Sequence, residues 1–179
     1  MKTLHELCNI IGHTDQHTHA YTKLFDEIIP ALEPKNILLL GVNMFGGGDV
    51  WAYSTRFPDA VIYAVDREFN KIEPIISNTC TNVKWIQGDI YCDGVFDQIK
   101  NVKFDVIIDD ADHIHAYQYY AFMQYSVLLK EGGIYFIEDI GNEYWCNQLQ
   151  QLIKNTKAGC SFQRMKSESS TGQVMLVIQ

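Results

Sequence analysis

The chain has few basic residues and no paired cysteine motif, and each shortage excludes a class of protein. Its 179 residues include 14 Lys plus Arg against 22 Asp plus Glu, a formal net charge of −8. Because binding to phosphate backbones or anionic membranes needs clustered basic side chains, we expect neither a nucleic-acid partner nor a membrane partner. The five cysteines are odd in number and show no Cys-x-x-Cys spacing, so neither a disulfide framework nor a zinc ribbon is predicted.

Long apolar runs and targeting signals are also missing. The longest apolar run, 37–42, is far too short to span a bilayer. The first residues lack the apolar core of a secretory signal peptide, and unpaired thiols suit a reducing compartment, so we expect a cytoplasmic protein. With 47% hydrophobic residues and no internal repeat or linker, the length predicts a single domain over 1–179.

Short apolar strands alternate with helical stretches along most of the chain. Parallel strands are predicted at 37–42, 61–65, 83–86, 104–108 and 133–137, with an antiparallel pair at 161–165 and 173–178. Helices are predicted at 47–57, 70–79, 115–130 and 142–155, after a helix, loop and helix in the first 33 residues. This alternation predicts an α/β fold with helices on both faces of a mostly parallel sheet.

Four of the five predicted parallel strands end in carboxylates or in a turn that carries one. These are Asp66, Asp89, Asp109 with Asp110, and Glu138 with Asp139. In open α/β sheets, ligands bind outside the carboxyl ends of the strands. The carboxylates are therefore predicted to collect at the edge of the sheet where a binding site normally forms.

A glycine-rich segment follows the first predicted strand. Glycines such as Gly41 let the backbone approach a ligand, although a tight strand-to-helix turn explains them as well. Asp66 follows Gly41 by 25 residues and can accept both hydroxyls of a ribose or cap a helix. Asp89 can accept from the amine of an adenine or serve as a turn residue. Together these features favour a ligand that contains a nucleoside.

Two nucleoside chemistries compete at such a site. A short-chain nicotinamide reductase carries a Tyr-x-x-x-Lys pair, which this chain lacks, since Tyr125 and Lys130 are five residues apart. S-adenosylmethionine has no pyrophosphate and therefore requires no anion-binding glycine pattern. The irregular glycine segment fits that cofactor better.

Three motifs in order then resemble a known family. Segments 37–66, 104–113 and 128–139 resemble class I S-adenosylmethionine-dependent methyltransferases, above all the metal-dependent sugar (macrolide-type) O-methyltransferases and the cephalosporin hydroxylase-like group. The N-terminal segment 14–25 is similar to theirs too. The resemblance implies a Rossmann-like, seven-stranded, mostly parallel sheet with an antiparallel last strand, and a helical cap formed by 1–33 over the cofactor site.

The resemblance also implies roles for individual residues. His113 falls at the position of a catalytic base. The residues implied at a Mg²⁺ or Mn²⁺ ion are Asp110, Glu138 and Asp139. Those expected at S-adenosylmethionine are Tyr21, Gly41, Asn43, Gly46, Gly47, Asp66, Arg67, Gly88, Asp89, Ile90 and Asp109. Those expected at the acceptor are His19, Asp112, Tyr144 and Trp145.

The predicted function is metal-dependent transfer of a methyl group to a hydroxyl of a sugar or glycan, with a homo-oligomer left open. A second hypothesis is a catechol- or caffeoyl-type O-methyltransferase acting on a phenolic diol, because segment 110–113 is also similar to theirs. A third is a relative that binds the cofactor without catalysis, since Leu39 and Phe45 depart from the family pattern. An oxygen-rich ligand set favours Mg²⁺ or Mn²⁺ over zinc in either enzyme.

Overall fold

The computed structural model describes residues 1–15, 21–42, 44–157, 159–168 and 173–179. The strands of these residues are β1 (Asn36–Leu40), β2 (Val61–Asp66), β3 (Val83–Gln87), β4 (Phe104–Asp109), β5 (Leu129–Ile140), β6 (Phe162–Lys166) and β7 (Val174–Ile178). The helices are α1 (Leu4–Ile11), α2 (Tyr21–Ile28), α3 (Gly48–Arg56), α4 (Pro74–Thr79), α5 (Asp93–Ile99), α6 (His115–Tyr125) and α7 (Glu143–Thr156). Short 3₁₀ helices cover Ile29–Leu32 and Ser126–Leu128.

All seven strands join one sheet in the order β3-β2-β1-β4-β5-β7-β6. The first five strands are parallel, and β7 runs antiparallel between β5 and β6. This arrangement confirms the predicted Rossmann-like methyltransferase fold with its antiparallel last strand. The strand order reverses between β1 and β4, and ligands of doubly wound sheets bind at such a switch point.

The two faces of the sheet bury two separate cores, because successive strand residues point to opposite sides. In β1, Leu39 packs with the first core, under α1, α2 and α3, whereas Leu38 packs with the second core, under α5, α6 and α7. Phe136 of β5 meets the edge of Phe25 at 4.8 Å in the first core. Helices therefore cover both faces, as predicted.

The N-terminal helices belong to the first core. Leu4 and Phe25 are fully buried there, and the Asp26 carboxylate of α2 accepts hydrogen bonds from the first backbone N–H groups of α1. A capping box of Thr3 and Glu6 begins α1. Segment 1–33 thus contributes structural packing, and its role as a cap over the cofactor stays a prediction.

Three boundaries differ from the sequence-based expectations. Strand β5 begins at Leu129, four residues earlier than predicted, so the helix predicted to reach residue 130 ends at Tyr125. Helix α4 begins at Pro74, whose fixed φ suits the first helical position. Helix α5 was not predicted, because its seven residues are too few to show a period. No described helix is long and apolar enough to cross a membrane.

Candidate functional site

The carboxyl ends of β1 and β4 meet at Gly41. The Asp110 N–H donates to the Leu40 carbonyl at 3.0 Å, and Gly41 has a φ of 82°. A Cβ at Gly41 would lie 2.5 Å from the Asp110 carbonyl oxygen and 2.6 Å from the Ala111 Cα. Only glycine lets the two strand ends approach this closely while adopting that φ.

A cleft of about 240 Å³ opens beside Gly41, over the ends of β1, β2 and β4. Its lining includes Asp66, Arg67 and Ile90. The Asp66 carboxylate accepts a hydrogen bond from the Val42 N–H at 2.9 Å, so its position at the end of β2 is fixed. The structure therefore places four residues that the sequence predicts at the cofactor around one cleft, namely Gly41, Asp66, Arg67 and Ile90.

Arg67 links two loops at the wall of this cleft. Its guanidinium lies 2.9 Å from an Asp112 carboxylate oxygen and 3.4 Å from an Asp89 oxygen. The charges of Asp112 and Asp89 raise the Arg67 pKa, so the group stays charged. Asp89 also accepts from the Tyr91 N–H at 2.9 Å. Asp112, predicted at the acceptor, is thus paired with a residue predicted at the cofactor.

Asp110, His113 and Asp139 form a compact group beside the cleft. One ligand atom from each lies within 4.8 Å of the others, and among the described residues this is the one such cluster of metal-ligating side chains found. The His113 Nε2 lies 3.1 Å from an Asp110 oxygen, and its Nδ1 lies 4.0 Å from an Asp139 oxygen. The His113 ring therefore sits between the two carboxylates.

Two of these residues have unusual backbone conformations. His113 has a φ of 47° and Asp139 a φ of 52°, in a region that non-glycine residues adopt rarely. At Asp139 the pairing of β5 with β7 shifts register between Ile137 and Ile140, and such irregularities redirect a side chain. Each positive φ costs about 1–3 kcal/mol and is typical of functional sites.

Burial and the contact between Asp110 and His113 shift the pKa values in this group. Burial raises the Asp110 pKa, and the hydrogen bond and charge of His113 lower it in part. The resulting Asp110 pKa is about 6. For His113, burial lowers the pKa, but the hydrogen bond and charge of Asp110, with the charge of Asp139, raise it to about 9. An imidazolium between two carboxylates is the state that these shifts favour near neutral pH.

Glu138, the third predicted metal ligand, lies next to this group but outside the 4.8 Å cluster. Its side chain is buried, and burial together with the charges of Asp110 and Asp139 raises its pKa well above the usual range. Its backbone carbonyl accepts from the Gln118 side chain at 2.9 Å. The cluster thus contains two of the three predicted metal ligands together with His113, which the sequence predicted as the base.

Tyr21 contacts the acidic group, and its predicted contact with the cofactor stays a prediction. Its side chain is fully buried, and its hydroxyl donates to Asp139 Oδ1 at 3.2 Å. Burial, with the charges of Asp139 and Glu138, raises the Tyr21 pKa, so the hydroxyl stays a donor. Tyr21 therefore holds a carboxylate of the site in position.

Other predicted cofactor residues lie in packing positions. A Cβ at Gly47 would lie 2.7 Å from the Ile72 side chain, and one at Gly88 would lie 2.5 Å from Val95 of α5. Gly46 accepts a backbone hydrogen bond from Glu73 at 3.0 Å. These three glycines allow close packing of neighbouring segments, and their predicted contacts with the cofactor stay predictions.

Asp109 is buried on the opposite face from Glu138. It is 2% exposed, and its pKa is raised to about 7, chiefly by burial. The buried Tyr135 hydroxyl lies beside this carboxylate, and the interaction between the two groups lowers the Asp109 pKa and raises that of Tyr135. Its side chain lies on the side of the second core, and the predicted contact of Asp109 with the cofactor's ammonium group stays a prediction.

Tyr144 and Trp145 follow the acidic end of β5 at the start of α7, where the Asn142 side chain caps the helix. The Trp145 ring stacks on His115, the first residue of α6, with centroids 4.2 Å apart. Burial lowers the His115 pKa. The sequence did not predict this stack, since the residues lie 30 positions apart. His19 and Asn43 lie outside the described residues.

A second, smaller cleft on the other side of Gly41 was also missed. Its lining includes Asp15, Asp49, Asp110 and His113. Burial raises the Asp49 pKa to about 8, and the charge of Asp110 adds to this effect. In the sequence, Asp49 resembles an ordinary acid in the first turn of a helix, so no signal marked it.

Curated proteins of similar sequence carry O-methyltransferase names, although no family model matches the chain. Identity is 26% over 163 residues with the mycinamicin VI 2''-O-methyltransferase of Micromonospora griseorubida, covering 87% of this chain and 37% of that protein. It is 27% over 135 residues with the 8-demethyl-8-(2-methoxy-alpha-L-rhamnosyl)-tetracenomycin-C 3'-O-methyltransferase of Streptomyces olivaceus, covering 70% and 33%. The chain thus spans little more than a third of the length of these relatives.

Solved structures share the fold. The MycE methyltransferase in complex with Mg, SAH and mycinamycin VI matches 98% of this chain and 54% of its own, with a TM-score of 0.74 and 22% identity. A cmcI structure with Mg and SAM matches 88% of this chain and 70% of its own, with a TM-score of 0.65 and 21% identity. The chain is thus similar in sequence and fold to S-adenosylmethionine-dependent O-methyltransferases of macrolide sugars, and similar in fold to cmcI.

Proposed function

We propose that this chain transfers a methyl group from S-adenosylmethionine to a sugar hydroxyl with the help of a divalent cation. The observation that carries the proposal is the group of Asp110, His113 and Asp139 within 4.8 Å, next to the cleft that contains Asp66. A nucleoside site and a cation site then share the residue Asp110. The named activities of the relatives support a glycosidic acceptor.

The residues of the larger cleft fit the cofactor. Asp66 offers a fixed carboxylate for the ribose hydroxyls, and Ile90 supplies an apolar wall for the adenine. The absence of a Cβ at Gly41 keeps this part of the cleft open where β1 and β4 meet. Asp89 and Asp112 both form ion pairs with Arg67. Their carboxylates offer hydrogen-bond acceptors for the exocyclic amine of the adenine or the ammonium group of the cofactor.

The acidic group fits a divalent cation. Asp110 and Asp139 offer oxygens at the ends of neighbouring strands. Burial, together with the charges of Asp110 and Asp139, raises the Glu138 pKa, and a cation relieves the repulsion between these carboxylates. When bound, the cation orients the acceptor hydroxyl and lowers its pKa. Asp110, Asp139 and Glu138 would hold it through carboxylate oxygens, which suit Mg²⁺ or Mn²⁺. His113 would then stay outside the ligand set.

His113 is the proposed base. Its ring lies between Asp110 and Asp139, and a neutral nitrogen at this position can take the proton of the acceptor hydroxyl. The raised pKa of His113 arises from those two carboxylates, so their use by a cation lowers it toward the value that a base needs. General-base help of this kind contributes roughly 10²–10⁴-fold to the rate.

Calorimetric titration of S-adenosylhomocysteine, followed by methyl-transfer assays on sugar and catechol acceptors with Mg²⁺, Mn²⁺ or EDTA, tests the proposal. We expect cofactor binding and sugar methylation that EDTA abolishes. Asp139→Asn should remove the metal-dependent activity and leave the cofactor affinity nearly unchanged. Asp97→Asn removes the same charge from an exposed residue of α5 and is the matched control.

Each other outcome contradicts a stated part of the proposal. Normal turnover by Asp139→Asn would refute the metal site. Methylation of catechol but of no sugar would refute the sugar acceptor. Cofactor binding without methyl transfer to any acceptor would show a non-catalytic relative, and no cofactor binding would overturn the assignment as a whole.

A further inference from the structure

The starts of α6 and α7 carry an aromatic surface made of His115, Tyr144 and Trp145. The His115 and Trp145 rings are nearly parallel, with an angle of 18° and centroids 4.2 Å apart. The Tyr144 ring meets Trp145 at 72° and 5.1 Å. Tyr144 remains 61% exposed and Trp145 40% exposed. We call these three residues the aromatic platform.

The platform lies beside Gly141, two residues after Asp139, where an added Cβ would lie 3.7 Å from His115 Nε2 and 4.0 Å from Trp145 Cδ1. His115 follows His113 by two residues, and Trp145 follows Asp139 by six. The Trp145 backbone is fixed because the Asn142 side chain accepts from its N–H at 3.2 Å. Ile114, 52% exposed, lies between the two histidines. Because the starts of two helices hold these rings, the rings lose little conformational freedom when a ligand stacks on them.

The shape of the platform suits a ring that carries C–H groups on its faces. Because His115 covers one face of the indole, the exposed rings of Trp145 and Tyr144 form a corner with an angle of 72°. A phenol can stack on one of these rings only, whereas a pyranose can present C–H groups to both. The negative face of an aromatic ring attracts such weakly positive C–H groups.

The surroundings of the platform are polar. Glu143, beside Tyr144, forms ion pairs with Arg164 at 3.3 Å and with Lys166 at 3.3 Å. The Tyr144 hydroxyl adds a donor and acceptor at the exposed edge. An apolar corner with a polar rim suits a ring that presents C–H groups on one face and hydroxyl groups on the other. A deoxy sugar has this character.

We propose that His115, Tyr144 and Trp145 bind the pyranose ring of the acceptor and direct one of its hydroxyls toward His113 and Asp139. This inference rests on the proposed function and adds the surface that holds the sugar ring. His115 acts as a positioning residue, because it supports the indole and leaves the outer side of the corner to the ligand.

Titration with methyl α-L-rhamnopyranoside tests the inference, in the presence of S-adenosylhomocysteine and Mg²⁺. Binding is measured by saturation-transfer NMR and by tryptophan fluorescence. We expect Trp145→Ala to weaken rhamnoside binding about fivefold, the loss of one aromatic contact, and Trp145→Phe to retain affinity within about twofold. His115→Ala should cause a smaller loss, and Leu152→Ala, an exposed site on the same helix, should cause none.

The outcomes separate this inference from the proposed function. Rhamnoside binding that is equal in the wild type and Trp145→Ala would overturn the platform and leave the sugar acceptor intact. A wild type that binds S-adenosylhomocysteine but neither this rhamnoside nor methyl glucoside would overturn the platform as a sugar site. Absence of S-adenosylhomocysteine binding would refute the proposed function itself.

Discussion

The Tyr21 hydroxyl donates a hydrogen bond of 3.2 Å to Asp139, which lies 118 residues further along the chain. The bond joins α2 to the irregular end of β5, where Asp139 has a φ of 52°. A buried donor of this kind restricts the carboxylate to one orientation. The N-terminal helices therefore contribute to the geometry of the acidic group as well as to the first core.

Tyr21→Phe should weaken binding of Mn²⁺ or Mg²⁺ about tenfold, because loss of a hydrogen bond to a metal ligand typically costs 10–100-fold in affinity. The ring remains buried, so we expect the unfolding free energy to fall by no more than about 1.5 kcal/mol. Calorimetric titration of the metal measures the change.

Tyr53→Phe is the matched control for this variant. Its hydroxyl is buried in the same core and has no hydrogen-bond partner within the described residues. Removing it should therefore leave metal affinity unchanged. Equal metal affinity in Tyr21→Phe and the wild type would show that the hydrogen bond has no effect on the ligand.

The pKa of His113 makes metal-free stability depend on pH. Its folded value of about 9 lies above the unfolded value of roughly 6.5, so the protonated form stabilises the fold. This contribution is complete below about pH 6.5 and is lost as the pH rises through 9. We expect the melting temperature in EDTA to fall across this window, and to fall less in His113→Gln. An identical slope in both proteins would contradict the raised pKa.

The ion pairs of Arg67 lead to a different expectation. The side chains of Arg67 and Asp112 are 54% and 32% exposed, and exposed pairs contribute only about 0–1 kcal/mol. Arg67→Met should therefore change the melting temperature little. It should still weaken S-adenosylhomocysteine binding severalfold, because Arg67 forms one wall of the cleft.

Glu68→Gln, at another residue of the same lining, is the control for Arg67→Met. It changes the local charge without breaking either ion pair, so cofactor affinity should stay within about twofold of the wild type. A large drop in melting temperature for Arg67→Met would show that the pairs stabilise the fold instead.

The sequence predicted the elements that carry a strong local pattern. Continuous apolar runs marked the parallel strands, and carboxylates at their ends located the edge where Asp66, Asp110 and Asp139 gather. Helix α5 escaped prediction because seven residues span only two turns.

Contacts between distant residues had no signal in a single sequence. The stack of His115 on Trp145 depends on how two helices leave neighbouring strands. The packing of Gly47 against Ile72 depends on a loop geometry that a motif does not specify. A glycine that permits close packing and a glycine that approaches a ligand look the same in a single sequence.

Gly41→Ala should combine two separate penalties. Its φ of 82° disfavours any side chain, and the added Cβ would lie 2.5 Å from the Asp110 carbonyl oxygen. Because that oxygen is backbone, relief of the clash must move β1 or β4 apart. We expect the variant to lose about 2–4 kcal/mol of unfolding free energy. It should also lose measurable S-adenosylhomocysteine and metal binding, since the end of β4 presents Asp110.

Gly132→Ala separates the two penalties. Gly132 has a φ of 75° but nothing within 4 Å of an added Cβ, so only the backbone strain of about 1–2 kcal/mol applies. Denaturant unfolding and cofactor titration of both variants give the comparison. If Gly41→Ala loses no more stability than Gly132→Ala and still binds the cofactor, then β1 and β4 separate freely. The close approach of Gly41 to Asp110 would then have no part in shaping the site.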